Sequence, residues 1–286
     1  MRNPSLRHVY ASLAELNDTL TTGGAAALTN AGNNARKLEM LDEVSRLIDA
    51  KAHRGSGFGP WVGTKQYDGD GRNILYLRAD LATLVSLTVQ PTQAADAVTL
   101  IIETDFYLAG LGGYDAPSRR LILHGQGTPS TFGRGYRTVA VAGTWSYPYR
   151  TRLLAATVAE ALDASETGVD VSGLTELSPG MTILVDTEQM YISAMTAGTP
   201  NTITVERGVN GTTAAAHDTA APITRFVYDP SVNSLALRLA EKRWKARDAG
   251  ADGSDGGGDV GVVSPVEGED TIIRRMLGPV RLVGQV

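Results

Sequence analysis

Four histidines, His8, His53, His124 and His217, are the side chains best suited to proton transfer or metal ligation near neutral pH. None has a second His or a Glu at metal-binding spacing. HExxH, GxSxG and the phosphate-cradling GxxxxGK[ST] are all missing. The chain has no cysteine, which excludes thiolate nucleophiles, disulfides and zinc–thiolate sites. Asp68-Gly69-Asp70-Gly71-Arg72-Asn73 has the look of an opening calcium loop. Asn73 stands where that loop needs glycine, however, and Ala79 where it needs its closing Glu, so the stretch reads as a hairpin turn. Asn210-Gly211-Thr212 matches a glycosylation acceptor, but Asn-Gly between two strand-like runs reads better as a tight turn. The residues imply no enzyme, no cofactor and no metal.

One charged pattern remains. Arg238, Lys242, Arg243, Lys245 and Arg247 make a predicted helix over 232–248 basic, with Arg238 and Lys242 on one face. Such a face is either solvated, its cations favouring the C-terminal end of the helix dipole, or a contact for an acidic ring or a DNA backbone.

The elements that must position these residues follow from periodicity. Leu6, Val9, Tyr10, Leu13, Leu16 and Leu20 predict an amphipathic first helix. A Gly/Ala/Asn connector isolates it from the body, so it is not an obvious core element. Leu38, Leu41, Val44, Leu47 and Ile48 predict a second helix, with Asn33 or Asn34 as N-cap and an end at the Gly/Pro run 55–60. From Trp61 to Trp145 the period becomes that of strands, with ILYL, LATLVSLTV, AVTLIIE, RRLILHG and RTVAVAGTW separated by Gly, Pro and Asp. Leu153, Leu154, Thr157, Val158 and Leu162 predict a return to helix. Short strands at 181–185, 190–193 and 202–205 follow, then the basic helix. An acidic Gly-rich linker leads to the apolar-basic end TIIRRMLGPVRL.

At 286 residues the chain is long enough for one or two domains with a real core. Its net charge of −5 excludes a globally basic nucleic-acid binder. Residues 165–227 carry seven acids and two bases, so the whole net charge resides there and the rest is balanced. That break marks 165–227 as a separate inserted module. No apolar run approaches the ~18 residues of a membrane span, and the start MRNPSLRHVY lacks a signal-peptide core, so the chain is expected to be made in the cytoplasm and to have no membrane partner.

Taken in order, LEMLDEVSRLIDAKAHR, YDGDGRNILYLRADLATLVSLTV, VAVAGTWSYPYRTRLLAATVAEAL, VNSLALRLAEKRWKARDAG and TIIRRMLGPVRL resemble segments of the head–tail connector (adaptor, or head-completion) proteins of long-tailed bacteriophages. Residues 165–227, through PGMTILVDTEQMYI and TITVERGVNGTTAAAHDTAAPI, resemble a β-module inserted in some phage structural proteins. The expected fold is therefore α+β: a helical bundle core from 1–164 and 228–249 with a β-hairpin-rich segment at about 60–146. It adds the inserted all-β domain at 165–227 and a flexible docking tail at 250–286. The resemblance implies a ring, typically of twelve copies, between the portal protein and the stopper or tail-completion protein. Such a ring extends the DNA channel at the virion neck, with DNA passing through the lumen without sequence readout. It further implies portal docking through Arg238, Lys242, Trp244, Lys245, Ile272, Ile273, Arg274, Arg275, Met276 and Leu277. The alternative is a binding module whose β-domain contacts the capsid or a receptor.

Overall fold

A computed structural model describes residues 6–22, 33–92, 95–110, 117–251 and 268–278. The connector after the first helix, most of the acidic linker and the last residues of the end segment lie outside these. The described residues form two antiparallel sheets of six strands each and four helices.

The first sheet holds β1 (Trp61–Gly69), β2 (Ile74–Val89), β3 (Val98–Leu100), β4 (Phe106–Gly110), β5 (Ser118–Leu123) and β6 (Gly135–Trp145). Its order is β1-β6-β2-β5-β4, with β3 beside β2. Alternation places Val139, Val141 and Trp145 of β6 inside, where they meet Leu87 and Val89 of β2 and Phe106, Leu121 and Phe132 in one apolar cluster. β2 is bent by register shifts against both β5 and β6. Its first half therefore pairs with β5 and its second with β6 and β3. The Asp70–Asn73 turn joins β1 to β2 as expected, held by the Arg72 N–H donating to Asp70 Oδ1 at 2.9 Å. Those two strands do not form a hairpin, because β1 pairs with β6.

The second sheet holds β7 (Arg150–Thr157), β8 (Gly168–Val171), β9 (Thr182–Val185), β10 (Glu188–Thr196), β11 (Asn201–Glu206) and β12 (Pro222–Val227), in the order β7-β12-β9-β10-β11-β8. The two ends of that path meet. Val158 bridges Val171, the Ser172 N–H donates to the Thr157 carbonyl at 3.0 Å, and the Ala159 N–H donates to the Asp170 carbonyl at 2.7 Å. The sheet thus closes on itself around Ile183, Val185, Met190, Ile192, Ile203 and Ile223, all shielded from solvent. The chain enters on β7 and leaves on β12, which pair so that Arg150 lies beside Val227.

Helices α1 (Leu13–Thr22), α2 (Asn34–Lys51), α3 (Pro230–Ala251) and α4 (Glu269–Leu277) share a third apolar cluster with Tyr191 and Val209 of the closed sheet. The start of α1 is a capping box. Ser12 Oγ accepts from the Glu15 N–H at 3.3 Å while Glu15 Oε2 accepts from the Ser12 N–H at 2.7 Å. Residues before it run as buried, non-helical chain between the closed sheet and the helices. His8 sits there between the Pro60 carbonyl at 2.9 Å and Tyr228 Oη at 2.8 Å, and burial pulls its pKa down to about 3.

This architecture overturns the expected α+β fold with a helical bundle core: the described residues are mostly strand, and the helices are a minor layer. The error begins at 153–162. The leucines there fit a helical step, but Leu154, Ala156 and Val158 are the buried residues, at period two, while Leu153 is 66% exposed. The segment is strand β7, and the second sheet begins before 165. The first helix is also shorter than its apolar pattern. It is central to the helical cluster, since Leu16 and Leu20 are fully buried. Asn210-Gly211 makes a turn, but one buried against β1, with Asn210 Oδ1 accepting from the Arg7 N–H at 2.6 Å.

Candidate functional site

The residues expected to dock a portal divide cleanly on α3 and α4. Trp244 is buried, its ring 5.3 Å from Lys37 Nζ and 4.9 Å from the Arg247 guanidinium carbon. Ile272, Ile273 and Leu277 are 3%, 3% and 2% exposed, packed in the same cluster as Leu235 and Leu239 of α3. Met276 is half-buried against that cluster. The apolar half of the set is therefore occupied by the chain itself. Arg238, Lys245, Arg274 and Arg275 are exposed and Lys242 is half-buried, with Lys245 Nζ 2.6 Å from Glu241 Oε1. The structure leaves most of the cationic members exposed on α3 and α4 and turns the apolar members inward.

Two ion pairs fasten α4 and were not anticipated. The Arg243 guanidinium donates to both Glu269 oxygens at 3.0 Å, a bidentate clasp between α3 and the first turn of α4. Lys51 at the end of α2 reaches Asp270 at 2.7 Å. Arg243 and Lys51 hold Glu269 and Asp270, respectively, below their usual carboxylate ranges. The available signal was the order of charges in EDTIIRRML, acids in the first turn and bases in the last, which marks a short helix with a complemented dipole.

Buried titratable groups elsewhere are tied into structure. Inside the closed sheet, Glu188 accepts from Arg207 Nε and Nη2 at 2.7 and 2.8 Å, from the Gly208 and Ala215 N–H groups at 2.9 and 3.0 Å, and pairs with His217 Nε2 at 2.8 Å. Against the penalty of burial, these partners, Arg207 foremost, hold Glu188 down at about 2. His217 Nδ1 lies 2.7 Å from Asp186. In the first sheet, Asp80 is clasped between Arg54 and Arg119. Near the helices, the Tyr10 hydroxyl donates to Asp49 and accepts from the Phe58 N–H at 2.9 Å. Burial raises Asp49 to about 7 although Arg46 opposes it. The buried Asp49 Oδ2 makes no hydrogen bond and meets only the Arg46 guanidinium, at 3.3 Å, and among the described residues no group of three His, Cys, Asp or Glu side chains is placed to hold a metal ion.

The distinctive exposed feature is apolar. Val85, Val98, Ile101, Ile102 and Tyr107 are 74%, 42%, 63%, 45% and 46% exposed, on β2, on β3, on the chain between β3 and β4, and on β4. Leu87 pairs with Leu100, so continuing that register sets Ile102 beside Val85. Sequence reasoning read these residues as ordinary strand members, because alternation does not say which face finds a partner within the chain.

No helix among the described residues is long and apolar enough to cross a membrane. No protein-family model, curated protein or solved structure matches the chain.

Proposed function

We propose that the chain is a structural subunit of a bacteriophage neck, a ring adaptor between the portal and the stopper or tail. The observation that carries this reading is the apolar margin of the first sheet. Five large aliphatic and aromatic side chains exposed to water along neighbouring strands of one sheet are a surface that another protein can cover. In a ring, each subunit meets its neighbours through two different patches, and the apolar margin supplies one of them. The ordered series of segments that resemble phage connectors supports the placement at the neck. Portal contact then falls to the outward cations of α3 and α4, since Trp244, Ile272, Ile273 and Leu277 serve the chain's own core.

The test is imaging of the chain with its portal. Negative-stain or cryo-electron microscopy of the particle is expected to show a ring of this chain at one vertex, and its appearance elsewhere in the particle would overturn the proposal. Arg274→Glu combined with Lys245→Glu is expected to weaken portal attachment more in low salt than in high, because exposed charges are screened over about 8–10 Å at ordinary ionic strength.

A further inference from the structure

The turn between β3 and β4 is exposed, apolar and acidic at once. Residues 96–105 hold three acids, Asp96, Glu103 and Asp105, and no base. Ile101, Ile102, Glu103 and Thr104 are exposed in succession. The turn is tightly bonded. The Glu103 N–H donates to the Phe106 carbonyl at 2.7 Å, the Asp105 N–H to the Ile101 carbonyl at 2.8 Å, and the Ile101 N–H to Asp105 Oδ2 at 2.7 Å. Its shape is therefore set before any contact is made, which lowers the ordering cost of docking it. Among the described residues no base pairs with Glu103.

A feature of opposite charge lies at the other end of the strand order. A cavity of about 930 Å³ opens between β1 and the first half of β2, near the top of the usual range of about 300–1,000 Å³ for ligand sites. Lys65, Arg78 and Arg137 line it against one carboxylate, Asp68. Arg137, at φ +53 in the bulge of β6, is engaged at the rim. Its guanidinium carbon stands 5.1 Å from the Tyr136 ring centre, and its N–H donates to Asp68 Oδ1 at 2.8 Å.

Lys65 and Arg78 differ from it, since neither has a carboxylate at ion-pairing distance among the described residues. Lys65 donates to Ser56 and lies 5.1 Å from the centres of both the Trp61 and Trp145 rings. Burial lowers its pKa to about 8, in keeping with an ammonium that lacks a counter-charge. Arg78 is exposed on the same face of β2 as Tyr76, which is 51% exposed. Trp61 and Tyr76 thus give the cavity apolar surface beside two uncompensated cations.

We infer that this groove receives the β3–β4 turn of a second copy of the chain, Glu103 and Asp105 meeting Lys65 and Arg78 while Ile101 and Ile102 lie against Trp61 and Tyr76. The inference rests on the ring reading above and supplies its other half. Turn and groove are different patches at opposite ends of the strand order, the heterologous contact that closes a ring by repetition. No residue of the turn lines the groove of its own chain, so the pair is satisfied only between copies. Charge alone would admit any acidic peptide. The chain's own turn adds two exposed isoleucines beside the acids and is present at one copy per groove. The apolar contact supplies the affinity, and the charges fix the register, as exposed ion pairs contribute little by themselves.

The experiment is sedimentation velocity of the purified full chain over a concentration series. The wild-type chain is expected to associate with rising concentration, less so in high salt. Glu103→Arg and Arg78→Glu each set like charges face to face and are each expected to weaken association about ten-fold or more. Both positions are exposed, so the thermal midpoint should not move. An equimolar mixture of the two variants is expected to recover wild-type association, because the reversed turn of one meets the reversed groove of the other and the remaining turn and groove are unaltered. A wild-type chain that stays monomeric up to its solubility limit, single variants that associate as well as wild type, or a mixture no better than either variant alone would each overturn the inference. A ring imaged at the neck without rescue in the mixture refutes this contact alone. Rescue by a chain found elsewhere in the particle refutes the neck placement alone.

Discussion

In the second sheet the first and last strands meet through Val158 and Val171, so every strand has neighbours on both sides. Among the described residues of the first sheet, β1 and β4 pair on one side only, and β3 pairs with β2 alone. The consequences follow the edges. Of the eight large hydrophobic side chains exposed among the described residues, seven belong to the first sheet and only Leu153 to the second. Closure lets a sheet satisfy its backbone and its apolar face without help, whereas an open sheet leaves both for something else. The acidic closed unit is built to be self-sufficient. The open unit carries the exposed hydrophobic side chains along β2, β3 and β4.

The largest expected effect tests that self-sufficiency. Arg207→Ala leaves Glu188 buried without its principal partner, which is expected to cost about 3–5 kcal/mol in urea unfolding at neutral pH. A loss under about 1 kcal/mol would mean that the closed sheet does not depend on its interior charge pair. The acid dependence has a definite sign. Glu188 is depressed to about 2 in the folded chain, so its contribution is full above the ordinary value of 4.5 and is lost as pH falls from there toward about 2. Glu188→Gln should remove that limb of the acid profile.

Next in size is the docking of α4. Ile273→Ala is expected to cost about 2–5 kcal/mol, the range for deleting a buried aliphatic side chain. A nine-residue helix is marginal alone, so the loss should appear as faster amide exchange confined to 269–277 and its contacts on α3, with the closed sheet unchanged. Unchanged exchange at 269–277 would show that the Arg243–Glu269 clasp alone holds α4.

Much of the first sheet was legible, because VAVAGTW and LATLVSLTV alternate or run apolar over lengths typical of strands. Segment 150–164 was misread because Leu153 and Leu154 sit side by side and satisfy either period. Only burial separates them. Closure was not legible at all, since it joins 157–159 to 170–172 through backbone groups that carry no side-chain signature. The capping box at Ser12 and Glu15 was legible and would have shortened the first helix. For the candidate docking set, the apolar character of Ile272, Ile273 and Leu277 was plain in the sequence, but their partners are Leu235 and Leu239, more than 30 residues earlier. Sequence pattern reports that a face seeks cover, without naming whether the cover is the same chain or another. At Arg137 the signal was weaker still: an arginine at positive φ has no sequence mark.

The junction between the two units gives an effect of intermediate size. His8, depressed to about 3, favours the folded state increasingly as pH rises from 3 to its ordinary 6.5. Asp49, raised from 3.8 to about 7, does the opposite over nearly the same window, its penalty growing as pH rises. The two slopes offset, and the wild-type stability is expected to be nearly flat between about pH 4 and 6.5. Asp49→Asn should expose a profile rising with pH, and His8→Gln one falling with pH, by thermal midpoints across that range. Parallel profiles in both variants would mean that neither group titrates as its surroundings require.

The smallest effect on stability bears most directly on the open unit. Val85→Lys and Ile101→Lys replace side chains that are already 74% and 63% exposed, so each should change the folding free energy by no more than about 0.5 kcal/mol. If the margin exists to be covered by another subunit, the same changes place a charge in the middle of a contact and should shift sedimentation toward smaller species, Val85→Lys more than Ile101→Lys in line with its greater exposure. Leu153→Lys is the matched control. It is a comparably exposed leucine at 66%, but on the closed sheet, and it is the one large hydrophobic side chain exposed there among the described residues. Loss of association in all three variants would remove the distinction between the sheets. Loss confined to the first two would locate it at the open margin, where several large hydrophobic side chains along β2, β3 and β4 are exposed.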